Sequence, residues 1–138
     1  RWVFQYPSDF SADRDGDGDV TLMSGSGIGG VVMDGGSGSA SDVRGTYGLL
    51  LGGFELQARR GVVKDARKTG PVAGVVSGAD SLRGTFQWTD EDGDRHVLDL
   101  CVLHSKGRLL QVLSTYDRTL SKAARPAIQT VLQSAAVR

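Results

Sequence analysis

The feature that most constrains the fold is a succession of three β-prone segments between Ser81 and Thr115. Apolar and β-branched side chains dominate Arg83–Thr89, His96–His104 and Arg108–Thr115, and short links rich in Asp and Gly, or Ser-Lys-Gly, separate them. Strands joined by links this short pair as antiparallel hairpins. The middle segment is apolar on both faces except at Asp99, which predicts a central strand covered on both sides.

The N-terminal half predicts further strands. Aromatic residues favour a first strand over Trp2–Tyr6, which a Pro-Ser-Asp turn at residues 7–9 ends. Two apolar runs, Val20–Met23 and Ile28–Met33, flank a Ser/Gly link and predict a hairpin. Four further features are expected along the chain: a flexible loop at residues 34–40, a short strand at 61–63, a break at Gly70-Pro71 and an apolar run at 72–76.

Helix signals flank the antiparallel segments. Ser41 or Asp42 can cap a helix whose apolar face comprises Val43, Tyr47, Leu50, Leu51, Phe54 and Ala58. Four glycines weaken helix propensity there and leave a strand over Tyr47–Leu51 as the alternative. Asp117 can cap a last helix, which Pro126 either kinks or divides, with an apolar face of Leu120, Ala124, Ile128, Val131, Leu132 and Ala135. These elements predict a single α+β domain over residues 1–138, a central antiparallel sheet with an inserted and a C-terminal helix packed on it.

Composition narrows the classes of function. Sixteen basic and sixteen acidic residues cancel and are shared evenly between the two halves, which disfavours nucleic acid and anionic membranes as main partners. No apolar run reaches the length of a membrane span, and without an initial Met we expect Arg1 to begin a trimmed or mature domain, with any anchor outside this sequence. The lone Cys101, inside an apolar strand, is expected to be a buried small hydrophobe.

The sharpest local motif is a series of aspartates at alternate positions, Asp13, Asp15, Asp17 and Asp19. With Gly18 at the sixth position and Val20 at the eighth, they match the beginning of an EF-hand calcium loop. Ser24 stands where the loop's bidentate Glu belongs, and the flanking segments resemble strands. Ca²⁺ binding by these four aspartates is therefore a hypothesis, and the alternative is a solvated acidic turn, the commoner use of Asp-Gly clusters. No other cofactor is predicted.

Other motifs give no enzyme signature. Gly25–Gly30 matches G-x-G-x-x-G, but no helix signal follows it, so we interpret it as a hairpin turn. His96 and His104 lie at opposite ends of one predicted strand, about 26 Å apart, too far to share a metal ion. The acidic hairpin tip, Asp90, Glu91, Asp92 and Asp94, is interpreted as exposed surface, and Trp2 and Trp88 as packed in the core or on the sheet. The basic residues Arg59, Arg60, Lys64, Arg67 and Lys68 are interpreted as a solvated helix end, with contact to acidic lipid headgroups or a partner as the alternative.

Short segments along nearly the whole chain carry a family resemblance. Phe4-Gln5-Tyr6-Pro7-Ser8-Asp9-Phe10 has the pattern aromatic-x-Tyr-Pro-x-x-aromatic, Gly78–Ser81 leads into Phe86–Asp90, and Val131–Ser134 comes near the end. These motifs, with the order strand, hairpin, helix, meander and C-terminal helix, resemble the PsbP-like fold. That fold is seen in the extrinsic subunits of photosystem II and in LpqN-type actinobacterial lipoproteins, and the Gly/Asp- and Ala/Arg-rich composition is similar to that of actinobacterial proteins.

The resemblance implies an α/β/α sandwich that acts outside the cytoplasm, secreted or membrane-anchored. It implies a non-enzymatic accessory, lipoprotein or sensor-type domain whose partner is another protein or a small ligand. It supplies no catalytic residues. The alternative is a Ca²⁺-stabilised interaction domain that uses the Asp13–Asp19 loop, and a hydrolase with an unrecognised site ranks third.

Overall fold

In the computed structural model, which describes residues 1–60 and 64–138, a seven-stranded antiparallel sheet lies between two helices. The helices are α1, Asp42–Arg60, and α2, Ser121–Ser134. The strands are β1 Trp2–Val3, β2 Phe10–Arg14, β3 Val20–Ser24, β4 Gly29–Ser37, β5 Lys64–Val76, β6 Ala79–Thr89, β7 Arg95–Ser105, β8 Arg108–Asp117 and β9 Ala136–Val137. Across the large sheet the order is β2-β3-β4-β8-β7-β6-β5, and β1 pairs with β9 separately. This confirms the predicted α+β fold.

Strand β7 is the link between two hydrophobic cores. It pairs with β6 on one side and β8 on the other, as the meander predicts. Leu98, Leu100 and Val102 pack in the core beneath α1, whereas Cys101 and Leu103 pack in the core beneath α2. Because burying one such leucine contributes about 1.5–3 kcal/mol, this strand helps to anchor both helices, and the prediction of a doubly covered strand is confirmed.

The N-terminal region differs from its prediction. The strand expected over Trp2–Tyr6 ends at Val3, and the chain then turns, with the Phe10 N–H donating to the Pro7 carbonyl at 3.0 Å. An unpredicted strand, β2, follows and pairs antiparallel with β3. Four of its five residues are exposed and the fifth is half-buried, so β2 has no apolar periodicity from which it could be predicted.

Two predicted interruptions are parts of strands. The loop expected at residues 34–40 is wrong up to Ser37, because β4 continues past a bulge at Asp34 and Gly36 and still pairs with β8. The break expected at Gly70-Pro71 is a shift of register within β5, which continues through residues 72–76. Proline lacks the N–H that a ladder uses, and an edge strand with a bulge tolerates that loss. The strand expected at 61–63 lies outside the described residues.

Helix α1 begins at the predicted cap and confirms the helix over the strand alternative. Its buried side chains, Val43 and Tyr47, pack on Leu82 and Phe86 of β6 and on residues of β7. Tyr47 approaches Gly84 so closely that a Cβ on this glycine would overlap the tyrosine hydroxyl. Within the described chain, neither helix is long and apolar enough to cross a membrane.

Helix α2 follows a short 3₁₀ turn, Arg118–Leu120, and covers the opposite face of the sheet. The Asp117 carboxylate accepts the Thr119 N–H at 2.9 Å and caps that turn, so the predicted cap acts one turn earlier than the α-helix itself. The helix continues without interruption through Pro126, so of the two alternatives expected there, a kink or a division, the division is wrong. Its buried face, Ala124, Ile128, Val131 and Leu132, matches the predicted apolar face.

Candidate functional site

Helix α2 leaves part of its sheet face uncovered. Its buried residues pack mainly on side chains of β3, β4, β7 and β8, and the middle of β5 and β6 extends beyond this contact. Between these strands and α2 lies an open cavity of about 900 Å³. Thr69 and Val72 of β5 line one side, Arg83 of β6 lies on the floor, and Lys122 and Arg125 of α2 line the other side.

A second cavity continues along the same strands toward their other end. It has a volume of about 470 Å³ and lies between the beginning of β5, the end of β6 and the turn that precedes α2. Arg67 and Gln87 are opposite each other in the β5–β6 ladder, one step along the same face from Thr69 and Thr85 of the first cavity. Arg118 contributes the helix side. We call the two cavities together the β5–α2 groove.

An ion pair fixes the floor of the groove. Asp99, 5% exposed, receives two N–H donors from Arg83 at 3.1 and 3.2 Å. Arg83 also donates to the Gln129 side chain of α2 at 3.2 Å. Burial works to lower the pKa of Arg83, but its hydrogen bonds and the charge of Asp99 outweigh burial and raise it. The guanidinium is therefore a rigid cation with N–H groups left over beside the cavity, since it carries five donors and these contacts use three.

Positive charge accumulates along the groove. Its six basic residues are Arg67, Arg83, Arg95, Arg118, Lys122 and Arg125, and its two acidic residues are Asp65 and Asp99. Asp99 is already neutralised by Arg83, and the other five cations of the groove are exposed to solvent. Such a surface attracts an anionic group and holds it by charge-assisted hydrogen bonds.

An aromatic ladder and a histidine border the second cavity. Trp88 stacks on Phe86 with ring centroids 5.5 Å apart and on His96 at 5.2 Å. His96 Nε2 lies 2.7 Å from Asp90 Oδ2, and this hydrogen bond is the main cause that lowers the pKa of Asp90. Trp88 thereby lies in a fixed position, half-buried against the core beneath α1, at the end of the sheet where it also borders the second cavity and its fluorescence can report binding. This confirms that it packs on the sheet, and Trp2 is buried in the core beneath α2.

The four aspartates predicted to bind calcium lie at the opposite edge of the sheet. Asp13 belongs to β2 and is opposite Thr21, whereas residues 15–19 form the turn between β2 and β3. One oxygen of Asp15 accepts the N–H groups of Asp17 and Asp19 at 2.9 and 3.1 Å. In residues 1–60 and 64–138, no group of three or more His, Cys, Asp or Glu side chains is arranged to hold a metal ion. Calcium binding by this loop stays a prediction.

Groups with catalytic potential are engaged or buried. Cys101 is 1% exposed, and burial raises the pKa of its thiol to about 12, which confirms a buried hydrophobe. His104 Nδ1 lies 3.5 Å from Asp80 Oδ2, at the end of β7 opposite to His96. The predicted separation of the two histidines at the strand ends is confirmed.

Sequence reasoning missed the groove although it noticed some of its parts. The basic stretch Arg59–Lys68 was expected to be a solvated helix end, but Arg67 lies in the groove and Lys68 pairs with Glu55 of α1 at 3.2 Å. The other cations come from four separate segments, so no local cluster marks them. Asp99 was a signal that could have pointed to the floor of the groove, because a lone carboxylate in a buried strand requires a cationic partner.

Comparison with solved structures identifies the fold. Cyanobacterial PsbP of Synechocystis sp. PCC 6803 matches with a TM-score of 0.70 and 12% identity, over 99% of this chain and 86% of that one. LpqN of Mycobacterium tuberculosis, involved in cell envelope biogenesis, matches with a TM-score of 0.68 and 9% identity, over 97% of this chain and 81% of that one. The predicted PsbP-like fold, with an LpqN-type relative, is confirmed. At identities this low, the likeness shows the fold alone.

Two further matches differ in extent. A protein of Bacteroides thetaiotaomicron matches with a TM-score of 0.66 and 14% identity over 99% of this chain, and this chain spans 45% of that protein's length. The Ran-binding protein Mog1p of Saccharomyces cerevisiae matches with a TM-score of 0.54 and 10% identity, over 95% of this chain and 84% of its own. No protein-family model and no curated protein matches the sequence.

Proposed function

We propose that this chain is a non-enzymatic binding module that acts outside the cytoplasm and holds an acidic surface of a partner protein in the β5–α2 groove. The observation that carries the proposal is the concentration of charge. Six of the sixteen basic residues line the groove, with only two of the sixteen acidic ones. Because the chain is neutral overall, the remaining surface carries excess negative charge, and an anionic partner is steered to the groove.

Several observations favour a protein over a nucleic acid as the partner. Asp65 lies within the groove, and the acidic turn Asp90–Asp94 lies at one end of it beside His96. These carboxylates repel a continuous phosphate backbone but leave room for separate acidic side chains. The likeness to a Ran-binding protein supports a protein partner, and the likeness to a protein of cell envelope biogenesis supports the proposed location. Fractionation of the source cell tests the location.

The chemistry of the groove supports binding over catalysis. Nucleophilic catalysis needs a reactive group within hydrogen-bond reach of a base. Cys101 is buried with its proton held, and each histidine is beside a carboxylate at its own end of β7. The groove offers guanidinium, hydroxyl and amide groups, which are suited to holding an anion in place.

Fluorescence of Trp88 provides the test. In a Trp2→Phe background, we expect poly-L-glutamate to change the emission of Trp88 in a saturable, salt-sensitive manner. Arg67→Glu combined with Arg118→Glu reverses two groove charges and should weaken binding by about tenfold or more. Arg44→Glu combined with Arg59→Glu makes the same charge change on exposed residues of α1 and should leave binding nearly unchanged.

Three results would contradict the proposal. The first is the absence of saturable binding by the parent protein. The second is an equal loss of affinity in the groove variant and the α1 variant, because binding would then depend on total charge. The third is tighter binding of a polythymidylate oligonucleotide than of poly-L-glutamate at the same salt concentration, which would assign the groove to nucleic acid.

A further inference from the structure

Strand β5 is an edge strand with two unlike halves. The first half contains two shifts of register, Pro71 and the basic residues Lys64, Arg67 and Lys68. Such features block pairing with another strand. The second half, Val72–Val76, has no charge and no proline, and it pairs regularly with β6. Its outer edge therefore presents N–H and C=O groups in the arrangement that an added strand requires.

The exposed side chains of this half are unusual for a free surface. Val72 and Val75 are 69% and 70% exposed and lie on opposite faces of the sheet. The other edge of the sheet, β2, has only five residues and carries Asp13 and Arg14. Among the described strands, the second half of β5 is thus an open edge next to the basic groove.

We propose that residues Val72–Val76 pair with an extended acidic segment of the partner, which adds to the sheet beyond β5. This inference rests on the proposed function and specifies the shape of the ligand. Val72 is opposite Arg83 and lines the same cavity as Lys122 and Arg125. Because side chains of a strand alternate between faces, every second residue of the added segment lies on the groove side, where a carboxylate meets these cations.

A second copy of this chain fits the edge less well. Antiparallel pairing of two such edges would bring two basic grooves together, and like charges would oppose association. A ladder of five residues on each side also buries much less than the roughly 1,200 Å² of total area typical of stable interfaces. The groove attracts an acidic segment instead of repelling it, and a transient contact with a short segment does not need the area of a stable dimer.

The test uses a dye-labelled peptide of sequence Glu-Val-Glu-Val-Glu-Val-Glu and two isomers, each with three N-methyl groups, placed either on the last three Glu residues or on the three Val residues. Methyl groups leave the charges intact, and alternate backbone N–H groups point to opposite edges of a strand. By fluorescence anisotropy, we expect the unmodified peptide to bind and one isomer to keep its affinity. The other isomer should bind about tenfold or more weakly, because its ladder hydrogen bonds are lost.

The outcomes separate this inference from the proposed function. Equal affinities for all three peptides, with a loss in a Lys122→Glu and Arg125→Glu variant, would overturn strand addition and leave the groove as a binding site. Equal binding of the unmodified peptide by that variant and the parent protein would contradict the proposed function. A dimer in sedimentation velocity that the peptide dissociates would place a second copy on the edge and overturn the inference.

Discussion

The turns at residues 15–19 and 90–94 lie in different hairpins and have the same hydrogen-bond pattern. In each, the first aspartate donates its N–H to the carbonyl of the fifth residue, at 3.0 and 2.9 Å, and accepts the N–H of the fourth at 3.1 Å. Its Oδ1 accepts the N–H groups of the third and fifth residues at 2.9–3.1 Å. The glycine at the fourth position has φ of +85° in both turns. The pattern Asp-x-Asp-Gly-Asp is thus the chemistry of a hairpin turn, whether or not a metal ion binds there.

The two turns differ in what surrounds their carboxylates. In the second turn, Asp90 Oδ2 is hydrogen-bonded to His96, whose protonated form offsets its charge. In the first turn, partial burial raises the pKa of Asp19, and the charges of Asp15, Asp17 and Asp34 raise it further. The charges of neighbouring carboxylates therefore oppose ionisation of Asp19 in the first turn, and a cation bound there would relieve this repulsion.

Calcium would produce the largest difference between the turns. If the loop binds Ca²⁺, a concentration of one hundred times Kd stabilises the fold by about 2.7 kcal/mol. Thermal unfolding in EDTA and in millimolar Ca²⁺ should show a rise in Tm that Asp15→Ala with Asp17→Ala abolishes. The matched change at the other turn, Asp90→Ala with Asp92→Ala, should keep the rise.

Either of two results would remove the calcium site. An unchanged Tm in the parent protein would leave residues 13–19 as a turn that needs no metal ion. A rise lost equally in both double variants would mean that calcium recognises acidic hairpin turns in general, and then the first turn would not be a specific site.

The turn glycines give the next largest effect and test whether the two backbones are the same. We expect Gly18→Ala and Gly93→Ala each to lower the free energy of unfolding by about 1–2 kcal/mol, because a Cβ disfavours positive φ. Gly16→Ala is the control, since Gly16 has negative φ and open space around its Cα. Urea unfolding measures all three variants, and a loss in one turn but not in the other would show that the backbones differ.

These turns also show what the sequence reveals and what it hides. The spacing of the aspartates was visible, but the same letters serve a metal loop and a hairpin, and only backbone geometry separates the two. Strand β7 was predictable because its apolar run requires cover on both faces. Strand β2 was not predictable, because its exposed side chains show no alternation of apolar and polar residues.

The candidate site follows the same logic. Its cations come from β5, β6, β7, the 3₁₀ turn and α2, and only the strand order brings them to one face. The sequence encodes this arrangement only indirectly, because the strand register and the position of α2 determine which cations lie together. Asp99 was recognisable as a buried charge, but whether Arg83 or another cation would pair with it depended on the register between β6 and β7.

The smallest expected effect is the pH dependence of stability that arises from the contact between Asp90 and His96 in the second turn. The pKa of Asp90 is lowered in the folded state from its ordinary 3.8, first by His96 and also by backbone hydrogen bonds, although burial opposes this. A lowered pKa contributes stability above the ordinary value, and this contribution is lost as the pH falls through the folded-state value. Asp90→Asn keeps an oxygen for both backbone N–H donors and removes the charge that His96 meets. We therefore expect the parent protein to exceed this variant in stability at weakly acidic pH.

The difference should shrink as the pH falls from 3.8 through the lowered folded-state pKa of Asp90, because the carboxyl group then becomes protonated in both the folded and the unfolded state. His96→Gln is the matched control, because it removes the imidazole and leaves the carboxylate. If the contact between Asp90 and His96 distinguishes the turns, the variant that combines Asp90→Asn with His96→Gln should lose little more stability than either single variant. Urea unfolding across the pH range measures all three variants. A difference for Asp90→Asn that persists unchanged at the lowest pH would assign its effect to the turn backbone, and the two turns would then be alike in energetics as well as in geometry.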